Sequence, residues 1–442
     1  MTRVAVVGAG LAGAEAAWQL ARRGLDVDLF ESRPAVMTPA HQTADFAELV
    51  CSNSLGSTAV GAAKGLLIAE LDAAGSLIVR VAREHAVAAG QALAVDRVTF
   101  ARRVTELLTA EPRLRLIRRA VTELPDPPAI VATGPLTLPP LAAALAASGG
   151  AEHLHFYDAT SPIVAGESLN PEIVFAANRR DGEAAGDYLN CPLNEEEYQR
   201  FYEALIDAAV VTPHGFEDER VFEACMPIEQ IARRGRDTLR YGPMRPVGLR
   251  DPRTGARFYA VVQLRRENAA GDLWNLVGFQ TRMTFGEQRR VLRLIPGLEN
   301  AEFLRYGVIH RNTYIDGPRL LRPDLSWRAR PGVRLAGQLI GVEGYLESTA
   351  MGLLAAWFTA AEVAGQKLDP PPETTFFGSL LRYVTGAETT PFAPMNANFG
   401  LLPPQPEIRG KRIRKQRYHE RGLADLRAWL QASAVSQEKS FD

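Results

Sequence analysis

Three thiols and one glycine-rich turn are the groups in this 442-residue chain whose type and spacing point to chemistry. Cys51, Cys191 and Cys225 lie too far apart for a Cys-x-x-Cys metal or redox pair, and they make no disulfide scaffold. Each is therefore buried filler or a reactive group, and reactivity needs cations or a helix N-terminus beside the sulfur, because a free thiol titrates near ~8.5. The turn reads Gly8-Ala9-Gly10-Leu11-Ala12-Gly13, a G-x-G-x-x-G pattern. Its first glycine makes the tight turn, its second lets a pyrophosphate approach the backbone, and its third lets a helix pack close to a strand. A helix starting there presents unpaired N–H groups and the positive end of its dipole to phosphate. Glu31, eighteen residues beyond Gly13, is placed to accept both ribose hydroxyls and to repel a 2′-phosphate. These residues read as a dinucleotide site. No His, Cys and Asp cluster has metal-ligand spacing, so no metal is expected.

The elements that must position these groups are legible around them. Val4-Ala5-Val6-Val7 is an apolar run of the kind buried on both faces of a sheet, Leu11 to Arg23 has helical spacing with Gly24 as its cap, and Val27 to Glu31 is a second strand. That β-α-β unit forces a parallel sheet. Ala129 to Gly134 and Gly332 to Gly337 read as returns to the same sheet, the latter followed by Gly341, Gly344, Tyr345 and a helix-like run to Ala364. The intervening stretch, Asp181 to Asp324, lacks β-α-β rhythm and is expected to be an inserted domain. An N-terminal fingerprint, an Ala-Thr-Gly turn at 134 and a second glycine-rich turn before a late helix resemble the glutathione-reductase-like FAD superfamily. The expectation is an α/β protein. A discontinuous Rossmann-like FAD domain (1–180 and 325–442) carries a smaller inserted α/β domain (181–324). The resemblance implies that Gly337, Gly341, Gly344 and Tyr345 approach the flavin. For Tyr345 a stacking face for pterin or flavin and a packed aromatic at a helix start are equally open.

Composition narrows the partners. A formal net charge of -1 excludes global attraction to nucleic acid or anionic membrane, so a polyanion must meet a local patch. Arg409, Lys411, Arg412, Arg414, Lys415 and Arg417 put six cations in nine residues, either a solvated helix face or a phosphate-binding strip. Arg282, Arg289, Arg290 and Arg293 add cations in the inserted stretch. No run reaches the ~18–20 uncharged apolar residues of a membrane span, so a soluble, cytoplasmic protein is expected, and nothing calls for an obligate protein partner.

Longer blocks carry a sharper resemblance. Ala47 to Leu55, Phe222 to Glu229, Arg240 to Val247, His310 to Thr313, Gly341 to Ser348 and Pro394 to Leu402 resemble the folate- and FAD-dependent tRNA (uracil-5-)-methyltransferases, the TrmFO family, over nearly the whole chain. The larger GidA/MnmG flavoproteins are a sister family. The resemblance implies transfer of a one-carbon unit from 5,10-methylenetetrahydrofolate to C5 of uridine 54 in the tRNA T-loop. FAD would supply the hydride and be re-reduced by NADH or NADPH. It implies Cys225 as the nucleophile on C6, Cys51 as the base, and tRNA contact through the 409–417 run. Cys191 reads as inert, and His310 as a hydrogen-bonded structural residue. A small-molecule flavin oxidoreductase and a non-catalytic RNA-binding flavoprotein are the competing readings.

Overall fold

A computed structural model describes residues 3–149, 154–179, 186–211, 226–386 and 392–433. The N-terminal unit forms as its pattern requires: strand β1 (Val4–Val7), helix α1 (Leu11–Arg22), then strand β2 (Val27–Glu31). Two further strands, β3 (Leu114–Arg118) and β4 (Ala129–Val131), and a late one, β5 (Arg330–Leu335), complete a parallel sheet in the order β5-β4-β1-β2-β3. Ser326–Trp327 adds a short antiparallel edge beside β5. The order is Rossmann-like, with β1 at the centre and the chain crossing over on both sides. Val4, Val6, Ile130 and Val131 are fully buried, which is why these strands read as continuous apolar runs rather than alternating ones.

Helix α2 (Tyr345–Val363) lies against α1, and small residues set the spacing. A Cβ on Gly352 would sit 2.1 Å from the Ala12 carbonyl oxygen, so the two helices touch backbone to backbone there. The last helix, α3 (Lys411–Ala432), buries Tyr418, Gly422 and Leu426, and Gly422 packs over Leu66 of the helix Ala63–Ala73.

A second sheet of six strands is antiparallel throughout: Phe175–Ala176, Tyr188–Leu193, Ala260–Arg266, Leu273–Leu276, Ile163–Ala165 and Phe303–Arg305, in that order. Its own core gathers Tyr198, Phe201, Phe279, Val291 and Leu292 from helices and loops on one face. Ile163–Ala165 belongs to this sheet although it precedes residue 181. The chain passes between the two sheets through a two-stranded ribbon, Leu154–Ala159 paired with Ile309–Tyr314. The absence of β-α-β rhythm in this stretch follows directly from its antiparallel pairing.

Candidate active site

At the end of β1 the chain turns through Gly8, whose φ of +96° is left-handed and whose Cβ would come 2.7 Å from the Ala132 carbonyl oxygen. A Cβ on Gly13 would lie 1.7 Å from the Gly8 carbonyl oxygen, so the start of α1 is pressed onto the turn. Gly10 differs. Nothing of the protein lies within 4 Å of its would-be Cβ, so what its missing side chain leaves open is space in front of the α1 N-terminus. That N-terminus has no side-chain cap and no acid in its first turn, and its dipole and N–H groups face the opening unopposed.

Glu31 closes the other side. Its carboxylate accepts from the Ala9 N–H at 3.0 Å, from the Arg33 N–H and Nε at 3.0 Å and from Arg33 Nη2 at 3.2 Å. Burial pushes this carboxyl up, but Arg33 and the Ala9 N–H outweigh burial and hold it below the ordinary range, so it is ionised. Arg33, almost wholly buried, is shared with Glu48 at 3.1 Å. Glu31 therefore fixes the glycine turn as well as facing the cavity.

The cavity is a cleft open to solvent that runs from this turn to the second one and is lined by Gly8, Gly10, Leu11, Ala12, Glu31, Gly337 and Tyr345 among others. Gly337 brings the two turns together, since its Cβ would meet that of Ala12 at 2.8 Å. Gly341 lies under the Phe392 ring, and Gly344 over the ion pair of the partly exposed Lys64 with the buried Glu347. The segment around Met395 straps this turn: Met395 N–H donates to the Gly341 carbonyl at 3.0 Å, Glu343 N–H to the Met395 carbonyl at 2.9 Å, and Ala397 N–H to Glu347 at 2.7 Å.

Tyr345 starts α2, and its hydroxyl accepts from the Cys51 N–H at 2.9 Å and the Ser52 N–H at 3.1 Å. Burial and then the neighbouring Cys51 push the phenol up, so it stays protonated. Tyr345 thus borders the cavity, and its hydroxyl anchors the Cys51 peptide, a contact its sequence position did not announce. The Cys51 thiol is half-buried and donates to the Ala159 carbonyl at 3.7 Å.

Three arginines clamp the peptide around Cys51. Arg97 donates to the Leu49 carbonyl at 2.8 Å, Arg305 to the Val50 carbonyl at 2.8 Å, and Arg265 to Asn53 Oδ1 and Ser52 Oγ at 2.8 Å each. Glu267 pairs with Arg97 at 3.0 Å. At Arg97 the burial penalty is outweighed by Glu267, whereas burial holds Arg265 and Arg305 below their ordinary values. Around Cys51, three arginines thus stand against the single carboxylate of Glu267. Cys191 sits in the opposite setting: it is fully buried in Tyr188–Leu193, and burial pushes its thiol up. Cys225 lies outside the described residues, and so does the side chain of His310. The described residue Ile228, just beyond Cys225, donates to the Gln280 carbonyl; Thr281 donates in turn to the Thr160 carbonyl, next to Ala159, which holds the Cys51 thiol.

The chain matches the family model described as "Glucose inhibited division protein A" over residues 3–367. It is 55% identical over 416 residues to the methylenetetrahydrofolate--tRNA-(uracil-5-)-methyltransferase TrmFO of Moorella thermoacetica, covering 94% of this chain and 95% of that one. To the TrmFO of Koribacter versatilis it is 51% identical over 442 residues, covering 98% and 99%. The chain belongs to the TrmFO family. Among solved structures, GidA of Aquifex aeolicus shares the fold with a TM-score of 0.68 at 16% identity, covering 97% of this chain and 73% of that one.

Of the residues singled out in the sequence, Gly8, Gly10, Leu11, Ala12, Glu31, Gly337 and Tyr345 line one cavity; Cys51 adjoins it through Val50 and Tyr345, while Gly341 and Gly344 are not in its lining and pack against Phe392 and against Lys64 and Glu347. The 409–417 run does not join them. Arg409, Lys411, Arg412 and Arg414 are exposed on and just before α3, Arg417 pairs with Glu420 at 2.9 Å, and Lys415 lies over the Phe399 ring at 5.6 Å. In the second sheet's layer Arg290 pairs with Glu287, Arg282 faces Glu229, and Arg289 and Arg293 donate to Tyr306 and Ala301. Sequence reasoning missed the Arg97, Arg265, Arg305 and Glu267 clamp. No local pattern marks it, because its members come together only when the two sheets meet. Among the described residues no His, Cys, Asp and Glu group could hold a metal, and no helix is long and apolar enough to cross a membrane.

Proposed function

We propose that this protein is a methylenetetrahydrofolate- and FAD-dependent tRNA (uracil-5-)-methyltransferase that converts uridine 54 of the T-loop to 5-methyluridine. The observation that carries this reading is the cavity that begins at the open space before Gly10 and ends at Tyr345, whose hydroxyl holds the Cys51 peptide. The residues present fit FAD. The uncapped α1 N-terminus suits a pyrophosphate, the ionised Glu31 suits a ribose, and the Gly337–Tyr345 turn lies where a ring at the far end would rest. When bound, reduced FAD supplies the hydride that turns a methylene into a methyl group, with NADH or NADPH as its reductant.

The protein's own groups do the rest. Uracil C5 becomes nucleophilic only after addition at C6, the role that family resemblance gives to the Cys225 thiolate. The enolate carbon then bonds to the folate-borne methylene, Cys51 takes the C5 proton as the methylene–nitrogen bond breaks and tetrahydrofolate leaves, the exocyclic methylene takes the hydride to become methyl, and loss of the Cys225 sulfur from C6 restores the ring. The clamp of Arg97, Arg265 and Arg305 keeps the Cys51 peptide fixed while this happens. A T-loop uridine must leave its stack to enter, at a cost of a few kcal/mol. Arg409, Lys411, Arg412, Arg414, Lys415 and Arg417 are proposed to hold tRNA phosphates, and a tRNA substrate places the protein in the cytoplasm.

The deciding experiment gives purified protein a tRNA transcript, methylenetetrahydrofolate and NAD(P)H, and omits folate in the control. Folate-dependent 5-methyluridine in the T-loop supports the reading. Reduced, flavin-loaded protein that binds tRNA yet leaves its uridine unchanged overturns it. Cys225→Ala is expected to abolish methylation while flavin stays bound.

A further inference from the structure

The Arg240 to Val247 block, singled out in the sequence, is absorbed by none of the roles above. It lies in a strongly cationic stretch: residues 233–257 hold eight arginines against Asp237 and Asp251, a net charge of +6 in a protein of formal net charge -1. Seven of the eight, all but Arg240, are exposed. In their midst Tyr241 is 83% exposed, an unusual position for a ring that is not packing against its own protein.

We propose that residues 233–257 form a tRNA-binding surface separate from α3, on which arginines meet phosphates and an unstacked base lies on the Tyr241 ring. The inference rests on tRNA being the substrate. The surface is built before any RNA arrives. Arg240 lies flat on the Tyr259 ring at 3.6 Å, donates to the Tyr259 carbonyl at 3.0 Å and pairs with Asp237 at 2.9 Å, which anchors the turn that carries Tyr241. Met244 N–H returns to the Leu239 carbonyl at 2.8 Å, and Val261 N–H holds the Met244 carbonyl at 3.1 Å. Arg179, on the neighbouring loop, donates to the carbonyls of Arg245 and Val247 and to Gln263. Asp251 and Gly255 close a tight loop that projects Arg250, Arg253 and Arg257 outward. A groove lined by Asn178, Pro246, Val247, Arg250 and Arg257 runs between these loops.

Position supports a nucleic acid over an acidic protein. The strand Ala260–Arg266 links the two sites: its Arg265 end grips Ser52 and Asn53, and Tyr259 lies just before its other end. Six residues of strand span about 20 Å, so a tRNA with its target loop at Cys51 can lay neighbouring backbone phosphates across the arginines. A cationic groove that tracks a backbone beside an exposed ring is the general form of a surface for unpaired nucleotides.

The test measures tRNA affinity of the FAD-loaded full-length protein against salt concentration. Replacing Arg245, Arg250, Arg253 and Arg257 by Ala is expected to weaken binding on the order of a hundredfold and to flatten the slope of log Kd against log salt by about 3, at ~0.7–0.9 per lost phosphate contact. Replacing the same four by Lys is expected to restore the slope. Tyr241→Ala is expected to weaken binding roughly tenfold with the slope unchanged, and Tyr241→Phe to bind as wild type. In each variant kcat at saturating tRNA is expected to hold. If the fourfold Ala variant loses its flavin, the single variant Arg253→Ala, in an exposed loop, carries the test with a slope change of about 0.7–0.9. Wild-type affinity and slope in these variants overturn the proposal. Wild-type protein that binds tRNA but does not methylate it removes the proposed function alone, and the slopes still decide the surface. No tRNA binding by wild type overturns both.

Discussion

The two glycine-rich turns at the ends of the cavity are built on different principles. The first, Gly8 to Gly13, is held mostly by its near sequence neighbours: Gly13 presses on Gly8 and Glu31 bonds the Ala9 N–H, with Ala132 against Gly8 the one support from farther along the chain. The second, Gly337 to Tyr345, is held by segments brought from far along the chain, with Phe392 over Gly341, Lys64 and Glu347 under Gly344, and Met395 bonded to Gly341. One turn is determined locally and the other is assembled last. Substitutions should therefore break the first sharply and the second by degrees.

The largest effect belongs to Gly13. A side chain there needs the space of the Gly8 carbonyl oxygen, 1.7 Å away, so α1 must leave the sheet. Gly13→Val is expected to cost about 3 kcal/mol or more and to yield flavin-free protein, read by thermal unfolding and flavin absorbance. Gly10→Ala is the matched contrast. Its φ of −69° suits alanine and its Cβ meets nothing within 4 Å, so the flavin-free fold should keep its stability to within about 1 kcal/mol. Flavin affinity is nevertheless expected to fall at least tenfold, because the methyl occupies the space before the helix N-terminus. Equal flavin affinity in Gly10→Ala and wild type would show that the opening holds no cofactor.

At the second turn the telling change is Tyr345→Phe. It keeps the ring beside the cavity but leaves the N–H groups of Cys51 and Ser52 without their acceptor, at about 1–3 kcal/mol. Flavin should remain bound while kcat falls and KM for tRNA holds, since the loss is one of Cys51 position. A KM change with kcat intact would instead make Tyr345 a substrate contact.

This contrast also explains how much was legible in the sequence. Val4 to Glu31 declares its fold because strand, turn, helix and strand are contiguous and Gly13 acts on Gly8, five residues back. The parallel sheet follows from that unit. The Cys51 clamp has no such trace: Arg97, Arg265 and Arg305 come from a helix, a central strand and an edge strand, and each reads alone as an ordinary surface cation. The strand Ile163–Ala165 was hidden for a related reason. Three apolar residues are too few to show a period, and their partner Leu273–Leu276 lies more than a hundred residues on.

The smallest effect concerns the support of the second turn. Tyr383, on the helix Phe376–Gly386, donates to the Ala393 carbonyl at 2.7 Å and packs against Phe392, the ring that covers Gly341. That helix begins on Glu70, which accepts from the N–H groups of Phe376 at 2.9 Å and Phe377 at 3.1 Å. Complete burial pushes the Glu70 carboxyl up to about 8, and the two N–H groups offset only part of the rise. The folded value exceeds the unfolded one, so the folded state binds the proton more tightly. The resulting stabilisation is fully present below about 4.5 and is lost as pH rises through about 8. Glu70→Gln keeps an acceptor for the helix and removes the titration. The unfolding midpoint of wild type minus that of Glu70→Gln should therefore fall between pH 5 and pH 9. Flavin release should track that fall if the helix holds the second turn, whereas the first turn has no share in it. A difference that stays constant across that range would mean that Glu70 is ionised throughout, with its charge met by the helix N-terminus alone.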